Sequence, residues 1–414
     1  MSKFDEKELI YDWNNVSPSE PPEQKIEFDD ETLRDGLQSP SVTDPPIGEK
    51  IELLHLMDEL GIDTADIGLP GAAPRFYKDV LDLTREIADA KLKIRPNIAA
   101  RTVKQDITPA IEITNKTGIP IEVCTFIGSS PIRQYVEEWT LDLMVRRIEE
   151  AIKYVVQNGL PNMFVTEDTT RAHPDTLRKL YTTAIECGAK RVCVCDTVGH
   201  AIPEGATALI SFIKDVVKKT GEDVKIDWHG HMDRGLGIPN TIAAIRAGVD
   251  RVHATALGIG ERVGNTPMDI LLINLKLLGY IDNDLSKLYQ YCELVSKYCK
   301  VPIPVNYPFA GSDAFRTGTG VHAAAVIKAQ KKGHNWLADR VYSGVPAGEF
   351  GLQQKIEIGP MSGQSNIIFW LQQHDINPES ELVEKIFDYA KESNTLLKDS
   401  QIFSIIKNYQ EKKS

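Results

Sequence analysis

The sequence lacks three features, and each absence excludes a class of protein. It has no run of about 18 apolar residues, which a membrane-spanning helix needs, and its first residues, MSKFDEKELIYDWNN, contain no apolar signal-peptide core. It has no basic excess, since 47 Lys and Arg stand against 59 Asp and Glu, which argues against a nucleic-acid-binding surface. Its six cysteines lack the spacing of a disulfide scaffold. We therefore expect a reduced, cytoplasmic protein that acts on small molecules, without a membrane or nucleic-acid partner.

The 414 residues are of ordinary globular composition, 42% hydrophobic and 26% charged. After an arm that reaches about Pro22, short β-branched runs alternate eight times with amphipathic stretches. Helices are predicted between these runs, for example over 48–60, 141–158 and 203–219. The eight predicted strands begin at Lys25, Thr64, Lys93, Pro120, Met163, Arg191, Lys225 and Arg251.

Strands that alternate with helices indicate parallel βαβ units, and eight units in roughly 260 residues are typical of a TIM barrel. A doubly wound open sheet is the alternative, but no GxGxxG turn follows the first strand. Beyond about Gly279 the pattern becomes helical. We therefore predict an N-terminal arm over 1–22, a (β/α)8 barrel over 23–280 and a smaller, mostly helical C-terminal domain over 281–414.

The segment KIDWHGHMDRG, from Lys225, ends a predicted strand with two histidines separated by one glycine. Side chains at i and i+2 of a strand point to the same face, so His229 and His231 form a pair of candidate metal ligands. Two packed or hydrogen-bonded core histidines are the alternative. A CxC pair, Cys193 and Cys195, is a second candidate for metal binding, although its surroundings favour a buried strand.

Polar residues gather where the other predicted strands end, which is where a TIM barrel carries its working groups. An aspartate, Asp35, lies in ETLRDGLQ after the first strand and is the natural carboxylate partner of the two histidines; a surface turn is the alternative for this motif. Imidazoles, a carboxylate and an amide oxygen together suit Zn²⁺, Mn²⁺ or a similar ion. The further polar residues at these ends are Arg34, Gln38, Glu167, Asp168, Asp196, Thr197, Glu261, Arg262 and Asn265.

Several separated motifs resemble the α-isopropylmalate synthase and homocitrate synthase family of the DRE-TIM metallolyase superfamily. They are ETLRDGLQ, HGHMDRGLGIPNTIAAIRAG, GIGERVGN, GSDAFRTGTGVHAAAVIK and YSGVPAGEFG, and the likeness covers about residues 25 to 365. The resemblance implies one divalent metal ion, Mn, Mg or Zn, with Asp35, His229 and His231 as ligands. It makes Asn265 a further ligand or a residue just outside the ligand shell.

The reaction that this resemblance implies is a Claisen-type condensation of acetyl-CoA with a 2-oxo acid, followed by thioester hydrolysis that releases CoA. Arg34 would stabilise negative charge, and His322 would be the base, with Glu167 as its partner or as a contact for the oxo acid. The residues implied as substrate contacts are Gln38, Thr197 and, with less support, Tyr342. The resemblance also implies a homodimer, with His322 acting either in its own barrel or in its neighbour's.

The chain departs from the family pattern at several positions. It has Leu37 where RDGEQ is common, and Met232 where HND is common. With Leu37 the motif resembles that of the hydroxymethylglutaryl-CoA lyases. The segment GIGERVGN, after the eighth predicted strand, has the form found in the synthases. Cys124 replaces a frequent histidine. Three arginines near predicted strand ends are candidates for a second carboxylate or for CoA phosphates: Arg101, Arg133 and Arg171.

These departures leave several functions open. The first choice is a 2-isopropylmalate synthase-like activity, followed by citramalate or homocitrate synthase and, with less support, a carbon-carbon lyase. A metal-binding regulatory relative without turnover is the alternative from another class. The sequence does not decide the 2-oxo acid or the native metal.

Overall fold

The computed structural model describes residues 6–15, 22 and 24–413. Residues 1–5 and 16–21 of the predicted arm lie outside the described residues. Within the arm, α1 (Glu6–Leu9) and a short 3-10 helix (Trp13–Asn15) are described. Two compact units follow from the packing: one contains the described residues up to Asp284 together with Leu294–Val301, and the other contains Leu285–Glu293 and the described residues from Pro302 onward.

Eight parallel strands close into a barrel in the first unit, in sequence order, with the last strand paired to the first. Each begins within two residues of its predicted start, so the prediction of a TIM barrel is confirmed. The strands are β1 (Glu27–Asp30), β2 (Thr64–Asp66), β3 (Arg95–Arg101), β4 (Glu122–Gly128), β5 (Asn162–Glu167), β6 (Arg191–Asp196), β7 (Lys225–Gly230) and β8 (Arg251–Ala254).

Helices follow the strands and cover the outside of the barrel. Their local signals are ordinary: Thr140 caps α6 by accepting a hydrogen bond from the Leu143 N–H group, and Gly248 ends α9 in the left-handed conformation. The helices of this part of the chain are α2 (Ile47–Glu59), α3 (Pro74–Ala90), α4 (Lys104–Thr117), α5 (Pro131–Glu137), α6 (Leu141–Gln157), α7 (Pro174–Glu186), α8 (Pro203–Thr220), α9 (Gly237–Ala247), α10 (Met268–Leu277) and α11 (Leu288–Cys299).

The barrel interior contains buried charges below the carboxyl ends of the strands. Asp227 on β7 accepts hydrogen bonds from Arg251 Nε and Arg191 Nη1, both at 2.6 Å, and Arg251 also donates to Glu122 Oε2 at 2.7 Å. Burial opposes ionisation of Asp227, but the two guanidinium groups hold its pKa below its usual value. The barrel is therefore held together at this level by mutually paired charges as well as by apolar packing.

The second unit is built from helices and one short parallel strand pair. The sequence predicted the helices but not the pair, because two-residue strands are shorter than any periodic pattern. Its elements are β9 (Arg316–Thr317), α12 (Gly320–Lys331), α13 (Asn335–Arg340), β10 (Lys355–Ile356), α14 (Gln364–Gln373), α15 (Ser380–Glu392) and α16 (Asp399–Lys413). Its last three helices pack around Ile367, Leu371 and Ile386. Across both units, none of the helices described is long and apolar enough to cross a membrane.

Removal of the central carboxylate provides a test of this charged interior. We expect Asp227→Ala to lower the free energy of unfolding by about 3–5 kcal/mol, because it leaves two buried guanidinium groups without their shared partner. Glu149→Ala, which removes the partner of an exposed lysine on α6, is the control and should change it by less than about 0.5 kcal/mol. Denaturant unfolding measures both; equal losses in the two variants would contradict the account.

Candidate metal centre

Two imidazole rings and one carboxylate meet at the carboxyl end of the barrel. His229 is on β7, and His231 is the first residue after the end of that strand. Their Nε2 atoms lie 3.0 Å apart. Asp35 Oδ2 lies 3.6 Å from Nε2 of His229 and 3.7 Å from Nε2 of His231. All three residues are at most 8% exposed. The structure thus brings together the three residues that the sequence offered as ligands, on the elements where it expected them.

The loop after β8 brings an amide to the same place. Asn265 donates from Nδ2 to Asp35 Oδ2 at 2.8 Å, while its buried Oδ1 has no hydrogen-bond partner in the described part of the chain. The glycines of GIGERVGN permit this close approach: a Cβ atom on Gly260 would lie 2.1 Å from Asn265 Oδ1, and one on Gly264 would lie 1.8 Å from the carbonyl oxygen of Gly258.

The arrangement fits a divalent metal ion. A separation of 3.0 Å between two nitrogens is what two ligands about 2.1 Å from one ion have when they meet it near a right angle. The unpartnered amide oxygen of Asn265 is a further oxygen donor beside them. The cavity that contains the cluster is lined by five acidic side chains, against two arginines and the His253 ring, so a cation would reduce the charge repulsion there.

The protonation state of the histidines suits metal binding as well. Burial, followed by the neighbouring His229 ring, lowers the pKa of His231 to about 4. The neutral imidazole is the form that binds a metal. Near neutral pH, His231 therefore has a free nitrogen lone pair without the loss of a proton.

Two carboxylates that the sequence analysis missed hold Arg34. Its Nε donates to Asp66 Oδ2 at 2.6 Å and its Nη2 donates to Glu31 Oε1 at 3.0 Å. Although burial favours the neutral acid, His229, Arg34 and His253 hold the pKa of Glu31 well below its usual value. The available signal was the period of two along β1, which places Asp29 and Glu31 on one face of the strand.

The cluster opens into a cavity of about 330 Å³. One wall of this cavity is formed by sulfur-containing and apolar side chains, and four of them, Cys124, Met163, Cys193 and Cys195, form a buried cluster. Burial raises the pKa of the Cys124 and Cys193 thiols well above the usual value, so both stay protonated. Among the described residues, the two groups able to hold a metal contain no cysteine. The CxC pair is therefore part of the buried wall.

Three further predicted site residues, Gln38, Thr197 and Glu167, line the same cavity. Thr197 Oγ1 accepts a hydrogen bond from the Asp168 N–H group at 2.8 Å, which leaves its own O–H hydrogen free to be donated. Burial raises the pKa of Glu167, whose Oε2 lies 3.7 Å from Arg133 Nη2.

The remaining two predicted site residues, His322 and Tyr342, belong to the second unit. Their rings are stacked, with centroids 4.0 Å apart and planes inclined by 26°, and both side chains are exposed. The sequence analysis predicted His322 and Tyr342 as separate site residues and did not predict that their rings stack.

The three arginines that the sequence offered as anion contacts are each paired with an acidic side chain, and none of them is among the described residues lining the cavity. Arg101 pairs with Asp106, and Arg171 pairs with Asp168. Arg133 pairs with Glu137 at 3.2 Å and approaches Glu167. A second substrate carboxylate therefore has no unpaired arginine among these three.

Comparison with known proteins identifies the family. The model of the HMGL-like family matches residues 25–295, which contain the whole barrel and the cluster of Asp35, His229 and His231. The chain belongs to the HMGL-like family.

The relatives of this HMGL-like chain include condensing synthases. Homocitrate synthase AksA of Methanopyrus kandleri is 32% identical over 393 residues, which cover 94% of this chain and 93% of that protein. A 2-isopropylmalate synthase of Sulfurisphaera tokodaii is 32% identical over 371 residues, 89% of this chain and 90% of that protein. The (R)-citramalate synthase CimA of Methanocaldococcus jannaschii is 29% identical over 384 residues, 91% of this chain and 73% of that protein. The chain is therefore an enzyme of the synthase type.

Solved structures support the fold. The hydroxymethylglutaryl-CoA lyase of Pseudomonas aeruginosa superimposes with a TM-score of 0.57 at 17% identity, covering 70% of this chain and 97% of that one. The HMG-CoA lyase of Brucella melitensis gives a TM-score of 0.55 at 18% identity, over 67% of this chain and 99% of that one. Identity at this level shows a shared barrel and leaves the reaction undecided.

Replacement of one histidine tests the cluster. We expect His229→Ala to lose stoichiometric binding of Mn²⁺ or Zn²⁺, because it removes a nitrogen ligand that no neighbouring group can replace. Equilibrium dialysis followed by elemental analysis measures the bound metal. His55→Ala, on α2 and outside the cavity, is the matched control and should bind like the wild type. A metal-replete His229→Ala protein would remove the histidine pair from the metal site.

Proposed function

We propose that this protein catalyses the condensation of acetyl-CoA with a 2-oxo acid, with release of CoA, and that it does so with one divalent metal ion. Within this class we propose a 2-isopropylmalate synthase-like activity, with 2-oxoisovalerate as the oxo acid. The observation that carries the proposal is the cluster of two imidazoles and a carboxylate that opens into the barrel cavity. The synthases named among the relatives support the reaction class.

The cluster supplies the proposed ligands: Asp35, His229 and His231 would hold the metal, with Asn265 beside them as a further oxygen donor. A divalent metal held there would supply Lewis-acid polarisation of the 2-oxo carbonyl group. The nitrogen and oxygen donor set is compatible with Mn²⁺, Mg²⁺ or Zn²⁺. Our proposal therefore leaves the native ion to measurement.

Arg34 is proposed to stabilise the negative charge that develops on the carbonyl oxygen of the oxo acid. Its Nε and Nη2 groups are fixed by Asp66 and Glu31, and its Nη1 group lies 3.8 Å from Asp35 Oδ2, at the metal-ligand cluster. A donor that is already oriented does not have to reorganise during the reaction, and this is how such groups lower the barrier.

The cavity-lining polar side chains are proposed to orient the oxo acid. Thr197 retains a free hydroxyl hydrogen for the substrate carboxylate, since its oxygen already accepts from a backbone N–H group. Gln38 lies in the same lining, directly after the turn that carries Asp35, and offers an amide donor.

Proton removal from the acetyl methyl group is assigned to His322, as the family resemblance implies. An imidazole side chain can act as a general base, and stacking against Tyr342 restricts the ring orientation of His322. Glu167, whose pKa burial raises, is proposed as a partner of this base or as a contact of the oxo acid.

The lining of the cavity favours an apolar substrate side chain. Beside the sulfur cluster it contains Leu69, Ala99, Phe126 and Val165. Its two arginines are already paired: Arg34 with the carboxylates described above, and Arg262 with Asp233 at 2.8 Å. A 2-oxo acid with a distal carboxylate, such as 2-oxoglutarate, would bury that charge without a free cation, which is costly. A branched apolar chain would instead gain by burial.

A thiol-release assay tests the activity. Purified protein is supplied with acetyl-CoA, Mn²⁺ or Mg²⁺ and a panel of pyruvate, 2-oxoisovalerate and 2-oxoglutarate. We expect CoA release with 2-oxoisovalerate at a kcat/KM at least about tenfold above that with 2-oxoglutarate, because of the missing cation. Preference for 2-oxoglutarate or pyruvate would instead support a homocitrate or citramalate synthase. No CoA release with any oxo acid would reject the synthase, and cleavage of a hydroxyacyl-CoA would replace it with a lyase.

Substitution of the fixed arginine tests its role. We expect Arg34→Lys to bind metal like the wild type but to lower kcat by about 10²–10³-fold, because an ammonium group cannot reproduce the fork held by two carboxylates. Arg95→Lys is the matched control, because Arg95 begins β3 at the end of the barrel away from the cluster and is paired with Glu27. Steady-state kinetics with metal titration separate the effects; full activity of Arg34→Lys would refute the assignment.

A further inference from the structure

The ring nitrogen of His229 that points away from the other proposed ligands lies against a carboxylate. Nδ1 of His229 lies 2.8 Å from Glu31 Oε2, while its Nε2 faces Asp35 and His231. No described residue donates to Glu31 Oε2 with full hydrogen-bond geometry, so this approach is a close charge contact. At 2.8 Å an ionised carboxylate repels a nitrogen lone pair and attracts an N–H group, which favours the proton on Nδ1. With the proton on Nδ1, the lone pair of His229 is on Nε2, directed at the other proposed ligands.

The second oxygen of Glu31 is fixed as well. Its Oε1 lies 2.9 Å from Nδ1 of His253 and accepts from Arg34 Nη2 at 3.0 Å. Nε2 of His253 lies 2.9 Å from Asp227 Oδ2. Because both ring nitrogens of His253 face carboxylates, both donate, and the ring is a buried imidazolium cation. Asp227 in turn is held by the two arginines of the barrel interior.

We propose that Glu31 is the positioning residue that fixes His229 as the Nδ1-protonated tautomer. A chain of close polar contacts then connects the buried barrel charges to the proposed metal ligands: Asp227 fixes His253 and His253 fixes Glu31 through hydrogen bonds, and Glu31 meets His229 in a charge contact. Such outer partners of a ligating histidine set its tautomer and ring orientation. This inference rests on the proposed metal site.

The two histidine ligands differ in this respect. Nδ1 of His231 is buried and has no hydrogen-bond partner among the described residues. The orientation of its ring is therefore set by packing, whereas the orientation of His229 is set by Glu31. Of the two histidines, only His229 therefore has its tautomer fixed by a carboxylate among the described residues.

Glu31, His229 and His253 are also close enough to one another to be considered as a second metal group. The contacts argue against this interpretation, because each carboxylate oxygen is already at hydrogen-bond distance from one ring nitrogen, at 2.8 and 2.9 Å. A chain of polar contacts without metal at Glu31 predicts one bound metal per protein chain, whereas a second metal group predicts two.

The tautomer is measurable in the wild-type protein without any metal. Nitrogen-15 NMR of the ¹⁵N-histidine-labelled protein separates the protonated from the unprotonated ring nitrogen, and His229→Ala identifies the signals of His229. We expect the proton of His229 on Nδ1 and an unprotonated Nε2. A proton on Nε2 instead would overturn the proposal.

Glu31→Gln tests the consequence for binding. A glutamine can accept at only one end, so one of the two histidines loses its partner, and we expect Mn²⁺ to bind about 10–100-fold more weakly at an unchanged one-to-one stoichiometry. Glu122→Gln is the matched control, because Glu122 belongs to the same buried charge network through Arg251 but does not contact His229. It should retain wild-type Mn²⁺ affinity even if its thermal stability falls.

Electron paramagnetic resonance of free Mn²⁺ gives the affinities, and thermal unfolding reports folding of each variant. Wild-type affinity in Glu31→Gln, equal weakening in Glu122→Gln, or two ions per chain would each overturn the positioning role. A wild-type protein that binds no divalent ion would instead reject the proposed metal-dependent function, while the histidine spectra would still decide the tautomer.

Discussion

Two imidazole nitrogens that face one another at 3.0 Å, with a carboxylate oxygen beside both, are the constraint on which this structure depends. Their lone pairs repel unless a proton or a cation lies between them. Burial and the neighbouring His229 ring lower the pKa of His231 to about 4, which leaves at most the single N–H of a neutral ring between the two nitrogens near neutral pH. A metal ion bound there would replace that N–H and use both lone pairs, and the unpartnered amide oxygen of Asn265 is next to the place where it would bind.

The barrel supports this cluster through its interior. The strands deliver paired charges to the level below the ligands, with Asp227 between Arg191 and Arg251, and these pairs are buried. Breaking such a pair leaves a buried charge without its partner, so the pairs have a role in fixing the positions of these side chains. His253 contacts Glu31, so the paired charges also constrain the position of the side chain that lies against His229. Glu31 in turn accepts from Arg34, the residue proposed to stabilise the oxyanion.

The sequence predicted the fold and the ligand cluster for clear physical reasons. Strands that alternate with helices permit few topologies, and the period of two along β7 places His229 and His231 on one face. The buried charges of the interior were not predicted. Asp66 and His253 alternate with apolar residues, and Glu31 follows two aspartates, in patterns that are equally typical of a solvent-exposed strand face; only closure of the barrel makes these side chains internal.

Some features also depend on contacts that no local pattern encodes. The pairing of β9 with β10 joins two-residue segments about forty positions apart, and the stacking of His322 on Tyr342 joins α12 to the turn after α13. Asn265 was predicted as a further ligand or as a residue just outside the ligand shell; its hydrogen bond to Asp35 depends on the backbone path that the glycines of its loop allow.

The most direct test of the metal-ligand cluster is a crystal structure of the protein with Mn²⁺ or Zn²⁺, with anomalous diffraction recorded at the edge of the added metal. The account predicts one anomalous peak between Asp35, His229 and His231, within about 2.0–2.2 Å of an oxygen and two Nε2 atoms. Strong anomalous density elsewhere with none at this cluster, at saturating metal, would contradict it.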